Sequence, residues 1–227
     1  MKRDYKKDAA VILLKESFVK VFLKYTTIEN VDKLWKQVLR IYTGKNRHYH
    51  NIDHIAHMVN LWELFYDKLT YPDEIFMAII YHDIVYSSRG KDNEEKSADL
   101  FMAIWHSFDW EKFDNSKFNF VAEAIKATTH RDLKMSMHED VKFLLDFDLH
   151  ILSTPHQDEY EWYRLGVRKE YSHVSLKKYK EGRKAVLESF LKRKEIYLTQ
   201  TFKINEKKAR KNLKNEINLY LCENKNK

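Results

Sequence analysis

Only four glycines and two prolines occur among the 227 residues of this chain, which leaves few places to break a helix or turn a tight hairpin. That scarcity favours an all-α fold before any pattern is read. Apolar residues then recur at helical spacing almost throughout, as in Val11, Leu14, Phe18, Val21 and Phe22, and again in Leu34, Trp35, Val38 and Leu39. The pattern predicts helices near residues 4–25, 28–43, 51–69, 73–86, 94–107, 116–129, 138–152, 157–173, 175–200 and 205–223. Pro72 and Pro155 are expected in first turns, where a missing N–H costs little, and Gly44 and Gly90 in the loops flanking the third and fourth helices. The length suits one sizeable core, and with no internal repeat or linker we expect a single helical domain over residues 1–227. Trp35, Trp62, Phe65, Trp105 and Trp110 fall at helical positions and read as core, not as a base-stacking platform.

The single Cys222 excludes an internal disulfide framework and a cysteine-rich zinc site. No apolar N-terminal segment resembles a signal peptide, and no run of about twenty apolar residues could span a bilayer, so we expect a cytoplasmic protein with no membrane partner. The net charge of +7 is unevenly placed. Residues 161–227 hold 19 Lys and Arg against 8 Asp and Glu, whereas residues 1–160 hold 22 against 26. A basic final third can attract nucleic acid or anionic substrates; the plainer reading, which we favour, is a solvated lysine face.

Chemistry concentrates in "RHYHNIDHIAHMV", residues 47–59, which carries four of the eleven histidines. His50, His54 and His57 stand at i, i+4 and i+7 and would share one face of a helix, where imidazoles one turn apart can converge on a metal ion. His82 and Asp83 follow inside the apolar run "MAIIYHDIVY". On a helix, adjacent residues diverge by about 100°, so a shared ion would have to lie against the helix flank. An aspartate in so apolar a segment is costly unless it is paired or metal-bound; the alternative pairs Asp83 with an arginine or a cap and makes His82 a hydrogen-bonded core residue. Asp146 and Asp148 interrupt a third apolar segment, "VKFLLDFDLHIL", and about 200° of helical turn separates them, so one should face the core and the other not. Arg47 offers a fork of donors suited to phosphate, and Asn93 with Glu94 and Glu95 reads as an N-cap followed by first-turn carboxylates. No Gly-rich phosphate loop, H-E-x-x-H or G-x-S-x-G occurs.

The order His, His-Asp, Asp on a helical chain resembles the HD superfamily of metal-dependent phosphohydrolases, and looks closest to its bacterial members described as predicted metal-dependent HD phosphohydrolases. The resemblance runs from "RHYHN" through "YHDIVY", "DNEEKSADL", "IKATTH" and "FLLDFDLHIL" to "EGRKAVLESFLKR" and "ARKNLKNEI". "YHNIDH" is also similar to the YHNxxH segment of cyclic-nucleotide phosphodiesterases, and "DLHIL" to their last aspartate motif. The resemblance implies an HD-domain-like helical bundle with additional C-terminal helices: a metal-site core over residues 45–152 and a basic extension over 157–223. It implies His54, His82, Asp83 and Asp148 as metal ligands, with Asp148 preferred to Asp146 because "DL" followed by an apolar pair fits the motif. His50 matches the histidine that protonates the leaving oxygen. His130 stands where several HD enzymes place a histidine for phosphate or a second metal, although a surface histidine at a helix C-terminus fits it equally.

The expected activity is hydrolysis of a phosphate ester or anhydride in a small phosphorylated molecule, with nucleotides the first choice. Metal-activated water would attack, Asp83 or Asp148 would accept its proton, and Arg47 and His130 would contact the substrate. The mixed ligand set suits one or two divalent ions, Mn, Fe, Co, Ni or Zn, with Mg a further option. Two rival classes share these residues: a non-catalytic metal- or nucleotide-sensing module, and an RNA-associated protein acting through the basic C-terminal helices.

Overall fold

A computed structural model describes residues 9–107, 115–131 and 136–222, so Trp110, expected in the core, lies outside the described residues. Ten α-helices and no strand occur among the described residues: α1 (Ala9–Phe22), α2 (Ile28–Tyr42), α3 (Ile52–Leu64), α4 (Pro72–Tyr81), α5 (Asn93–His106), α6 (Asn115–Ala127), α7 (Glu139–Leu149), α8 (Gln157–Glu170), α9 (Leu176–Lys192) and α10 (Glu206–Cys222). The all-α expectation holds. Among these residues no helix is long and apolar enough to cross a membrane. The chain divides into two compact units, the first ending at Leu144 and the second beginning at Leu145, so the boundary falls inside α7.

In the first unit α4 is the central element. It packs against α3, α5 and α6, and every residue from Ile75 to Tyr81 is at most 2% exposed. Its opening turn carries Pro72 at the expected position, and the Pro72 carbonyl accepts the indole N–H of Trp62 at 2.7 Å. Two buried carboxylates follow, each matched. Asp73 takes the Lys24 ammonium at 2.7 Å and the Tyr25 hydroxyl at 2.6 Å, while Glu74 takes Lys117 at 2.6 Å. Phe18, Phe22, Trp35 and Trp62 pack ring to ring around Phe76 of α4, and Trp35, Trp62 and Trp105 are buried as expected. Gly90 allows a close approach: a Cβ there would stand 2.5 Å from the Asn93 carboxamide oxygen. Asn93 is not the N-cap. Asp92 occupies that position, and Asn93 instead bonds the main-chain N–H and C=O of Ser87.

Helices end earlier than periodicity predicts wherever tertiary partners take over main-chain groups. The helix expected over 175–200 stops at Lys192, because the segment after it is fastened by side chains. Asp146, fully buried, accepts the N–H groups of Leu198 and Thr199 at 2.7 and 2.8 Å and the Thr199 hydroxyl at 2.7 Å. Glu206 accepts the N–H of Ile196 at 3.0 Å. Pro155 lies ahead of α8, before the cap position at His156, rather than in its first turn.

The second unit is held by an ion pair that the sequence did not disclose. Glu216 of α10, with no side-chain exposure, receives Arg183 of α9 through Nε at 2.9 Å and Nη2 at 3.2 Å. It also accepts the hydroxyls of Tyr160 at 2.7 Å and Tyr220 at 2.8 Å, and Arg183 Nη2 reaches the Tyr163 oxygen at 2.6 Å. Other arginines also point inward: Arg168 bonds the carbonyls of Tyr171 and Val174, and Arg210 bonds Glu206 and the carbonyls of Leu191 and Arg193. Lys177, Lys178, Lys192, Lys194, Lys207, Lys211 and Lys214 are exposed.

Burial pushes the Glu216 carboxyl up, but Arg183 and the tyrosine hydroxyls outweigh it and hold the group below the ordinary carboxylate range. Its stabilisation is therefore complete above the unfolded-state pKa and is lost as pH falls through the depressed folded value. Glu216→Ala should cost about 3–5 kcal/mol in urea unfolding at neutral pH, because it leaves Arg183 buried and uncompensated. The gap from wild type should narrow only in acid, and Arg183→Met with Glu216→Leu should recover most of the loss.

Candidate metal centre

The histidine-rich segment is not helical from its start. The Asn51 carboxamide oxygen accepts the N–H groups of Asp53 and His54 at 2.8 and 3.3 Å and so caps α3, which begins at Ile52. His50 consequently stands in the preceding turn and does not share a helical face with His54 and His57. Its ring centroid is 6.1 Å from that of His54. His54, in the first turn of α3, is 3% exposed, with the Tyr49 ring centroid 5.0 Å from its own.

The His-Asp pair is placed by the end of α4. A helix expected over 73–86 terminates at Tyr81 with His82 as its cap residue and Asp83 in the following turn. A helix end leaves carbonyls without partners inside the helix, and here side chains from elsewhere take them. The Tyr42 hydroxyl donates to Ile80 at 2.9 Å, and His82 Nδ1 lies 2.9 Å from the Ile79 carbonyl. Arg47 donates through Nη1 to Asp83 at 2.6 Å and through Nη2 to Ile84 at 2.9 Å, and its Nη1 also reaches the His50 carbonyl at 3.1 Å. The fork expected to grip phosphate is thus engaged with main chain on both terminal nitrogens. His82 keeps helical φ and ψ, −59° and −37°, and its N–H still bonds the Ala78 carbonyl, yet its Nε2 lies 3.1 Å from Asp83 Oδ2, so the two side chains meet at the helix end.

A carbonyl can only accept, so the contact to Ile79 fixes the proton of His82 on Nδ1 and leaves Nε2 an acceptor in the neutral ring. That nitrogen faces His54 Nε2 at 3.3 Å and Asp83 Oδ2 at 3.1 Å, and Asp83 Oδ2 is 3.9 Å from His54 Nε2. Burial alone would raise the Asp83 carboxyl; the charges of His82, His50 and His54 in their protonated forms, with a hydrogen bond from His82, more than offset it and hold the group well below the usual carboxylate range. A carboxylate and an imidazole lone pair at hydrogen-bonding distance require a cation between them, either a second proton on His82 or a metal ion. Within the first unit, His54 and His82 each bring a ring nitrogen to the Asp83 carboxylate, and imidazole nitrogens with a carboxylate oxygen make a donor set that could hold a metal ion. Asp148 comes from the last turn of α7, whereas the neighbouring Asp146 is engaged by residues 198–199.

His130 follows α6 with a left-handed backbone, φ 53°, its N–H donating to the Ala127 carbonyl at 3.0 Å. That conformation is uncommon for a residue with a Cβ, though histidine is among those enriched in it. Glu94 was read in the sequence as a first-turn carboxylate, whereas Tyr86 carried no signal there. Glu94, half-buried in the first turn of α5, has its carboxyl raised by burial, with its own backbone hydrogen bond opposing and the Asp83 charge adding. Tyr86 stacks on His50 with ring centroids 4.2 Å apart. No family model matches the chain, and no curated protein or solved structure matches it significantly.

Arg47→Met should lower stability by about 2–4 kcal/mol, since carbonyls that had a charged donor lose it. Arg47→Lys should recover only part, because one ammonium cannot reproduce the planar fork. Thermal and urea unfolding check this: an arginine reserved for substrate would leave stability unchanged.

Proposed function

We propose that the protein is a metal-dependent phosphohydrolase of the HD type, acting on a phosphate ester or anhydride of a small anionic substrate, with nucleotides the first class to test. The observation that carries the reading is the convergence of His82 Nε2, His54 Nε2 and Asp83 Oδ2 on one point, with the His82 tautomer set by the Ile79 carbonyl. Imidazole nitrogens and carboxylate oxygens together form a donor set suited to a divalent transition ion. His54, His82, Asp83 and Asp148 would hold it. When bound, such an ion supplies Lewis acidity toward a phosphoryl oxygen and toward water.

The side chains divide the remaining work. Asp83, kept ionised by the surrounding imidazoles, is available to accept a proton, and Asp148 is the second carboxylate able to do so. His50, off the helix and with its ring centroid 6.1 Å from that of His54, would give a proton to the leaving oxygen. Arg47 holds the turn that presents His82 and Asp83. His130 and Glu94 complete the polar groups proposed around the substrate. The same donors would serve a metal- or nucleotide-sensing module, and turnover separates the two.

Purified protein supplied with manganese should bind the ion, measured by elemental analysis, and release phosphate or pyrophosphate from members of a nucleotide panel. His82→Ala and Asp83→Ala should lose metal and activity together. His50→Ala should keep its metal while kcat falls by about 10² to 10⁴ for substrates with poor leaving groups, and far less for a nitrophenyl ester. Metal binding without turnover of any panel member would favour the sensor; a full metal complement in His82→Ala would defeat the proposed centre.

A further inference from the structure

We infer that Tyr86 is a positioning residue that sets the plane of the His50 imidazole, an inference that rests on the proposed role of His50 as proton donor. The two rings stack with centroids 4.2 Å apart and 26° between their planes. Tyr49 meets the same imidazole edge-on at 5.0 Å and 80°. Stacking acts on the face of the imidazole and so sets the plane in which its nitrogens bond. A proton donor needs a fixed ring plane, because proton transfer depends on the direction in which the nitrogen presents its proton.

Tyr86 is itself held at two levels. Ser97, fully buried on α5, contacts both main-chain groups of Val85: its Oγ accepts the Val85 N–H at 3.1 Å and lies 3.2 Å from the Val85 carbonyl. The Arg47 guanidinium lies 5.4 Å from the Tyr86 ring centroid and 5.0 Å from that of Tyr42, a range in which a cation is attracted to an aromatic face. Because Arg47 also bonds the His50 carbonyl, one cation is tied both to the main chain of His50 and to the ring stacked upon it. The stack does not depend on the tyrosine hydroxyl, so phenylalanine should replace Tyr86 and an aliphatic residue should not.

The test compares Tyr86→Leu, Tyr86→Phe, His50→Ala and the double variant Tyr86→Leu/His50→Ala in the full chain loaded with manganese. Tyr86→Leu should lower kcat at least about tenfold on poor leaving groups, with KM and metal content unchanged. It should have little effect on a nitrophenyl ester. Tyr86→Phe should restore the rate, and Tyr86→Leu should add nothing in the His50→Ala background. Multiplying losses in the double variant, or equal damage from Phe and Leu, would overturn the inference. A second readout needs no activity: in wild-type protein with isotope-labelled histidine, the ring protons of His50 should be shifted upfield by the Tyr86 ring current, and the shift should persist in Tyr86→Phe. Its absence in wild type overturns the inference even if Tyr86→Leu fails to fold. If wild type turns over no substrate, the functional reading fails on its own, and the ring-current shift still decides whether Tyr86 orients His50.

Discussion

The guanidinium of Arg47 joins two turns that lie 36 residues apart along the chain. One turn carries His50 into α3, and the other carries His82 and Asp83 out of α4. Without a donor of this shape the carbonyls of Asp83 and Ile84 would need water or further helix, and either outcome would redirect the His-Asp pair. A planar, permanently charged group with several N–H bonds can serve carbonyls in two turns at once. The apolar helix α4 supplies a rigid support behind the pair, but it is the termination of that helix that aims the side chains.

Buried aspartates in apolar segments meet two different fates here. Asp146 accepts two main-chain N–H groups and a hydroxyl, which balance its desolvation and make it an anchor for the segment after α9. Asp83 faces imidazole nitrogens instead. The difference is chemical. N–H donors satisfy a carboxylate directly, whereas an imidazole whose Nδ1 proton points elsewhere does so only with a second proton or a metal ion on Nε2. The Ile79 carbonyl therefore bears on the centre although it stands outside it, because it dictates which nitrogen of His82 carries the proton.

Much of this could be read from the chain. Sparse Gly and Pro with 3.6-residue periodicity gave the helical class, since both report on local backbone freedom and on which face is buried. His82, Asp83, Asp146 and Asp148 drew attention because polar residues inside apolar runs are costly, and His54 because it stands in a segment dense with histidines; only the family resemblance chose between Asp146 and Asp148. The ends of helices were harder. Nothing local in "MAIIYHDIVY" stops a helix; Tyr42 and Arg47 stop it from a distance, and α9 is cut short at Lys192 where side chains as remote as Asp146 take over the main chain beyond it. For the same reason the His50–Tyr86 stack and the Arg183–Glu216 pair were invisible, because each depends on where two distant segments meet. Arg47 shows the limit most clearly. Its chemistry, a fork of donors, was read correctly as a type, but the oxygens it meets in the structure are carbonyls of its own chain.

The inward arginines and outward lysines of the second unit separate two properties that are often entangled. The cations that shape the packing bond to carboxylates and carbonyls, while those that set the external field project into solvent and are screened by salt over roughly 8 Å at physiological ionic strength. Solubility and the response to polyanions can therefore drift by lysine replacement with little effect on the folded structure. The electrostatic character of this surface is free to change over evolutionary time while the architecture beneath it stays fixed.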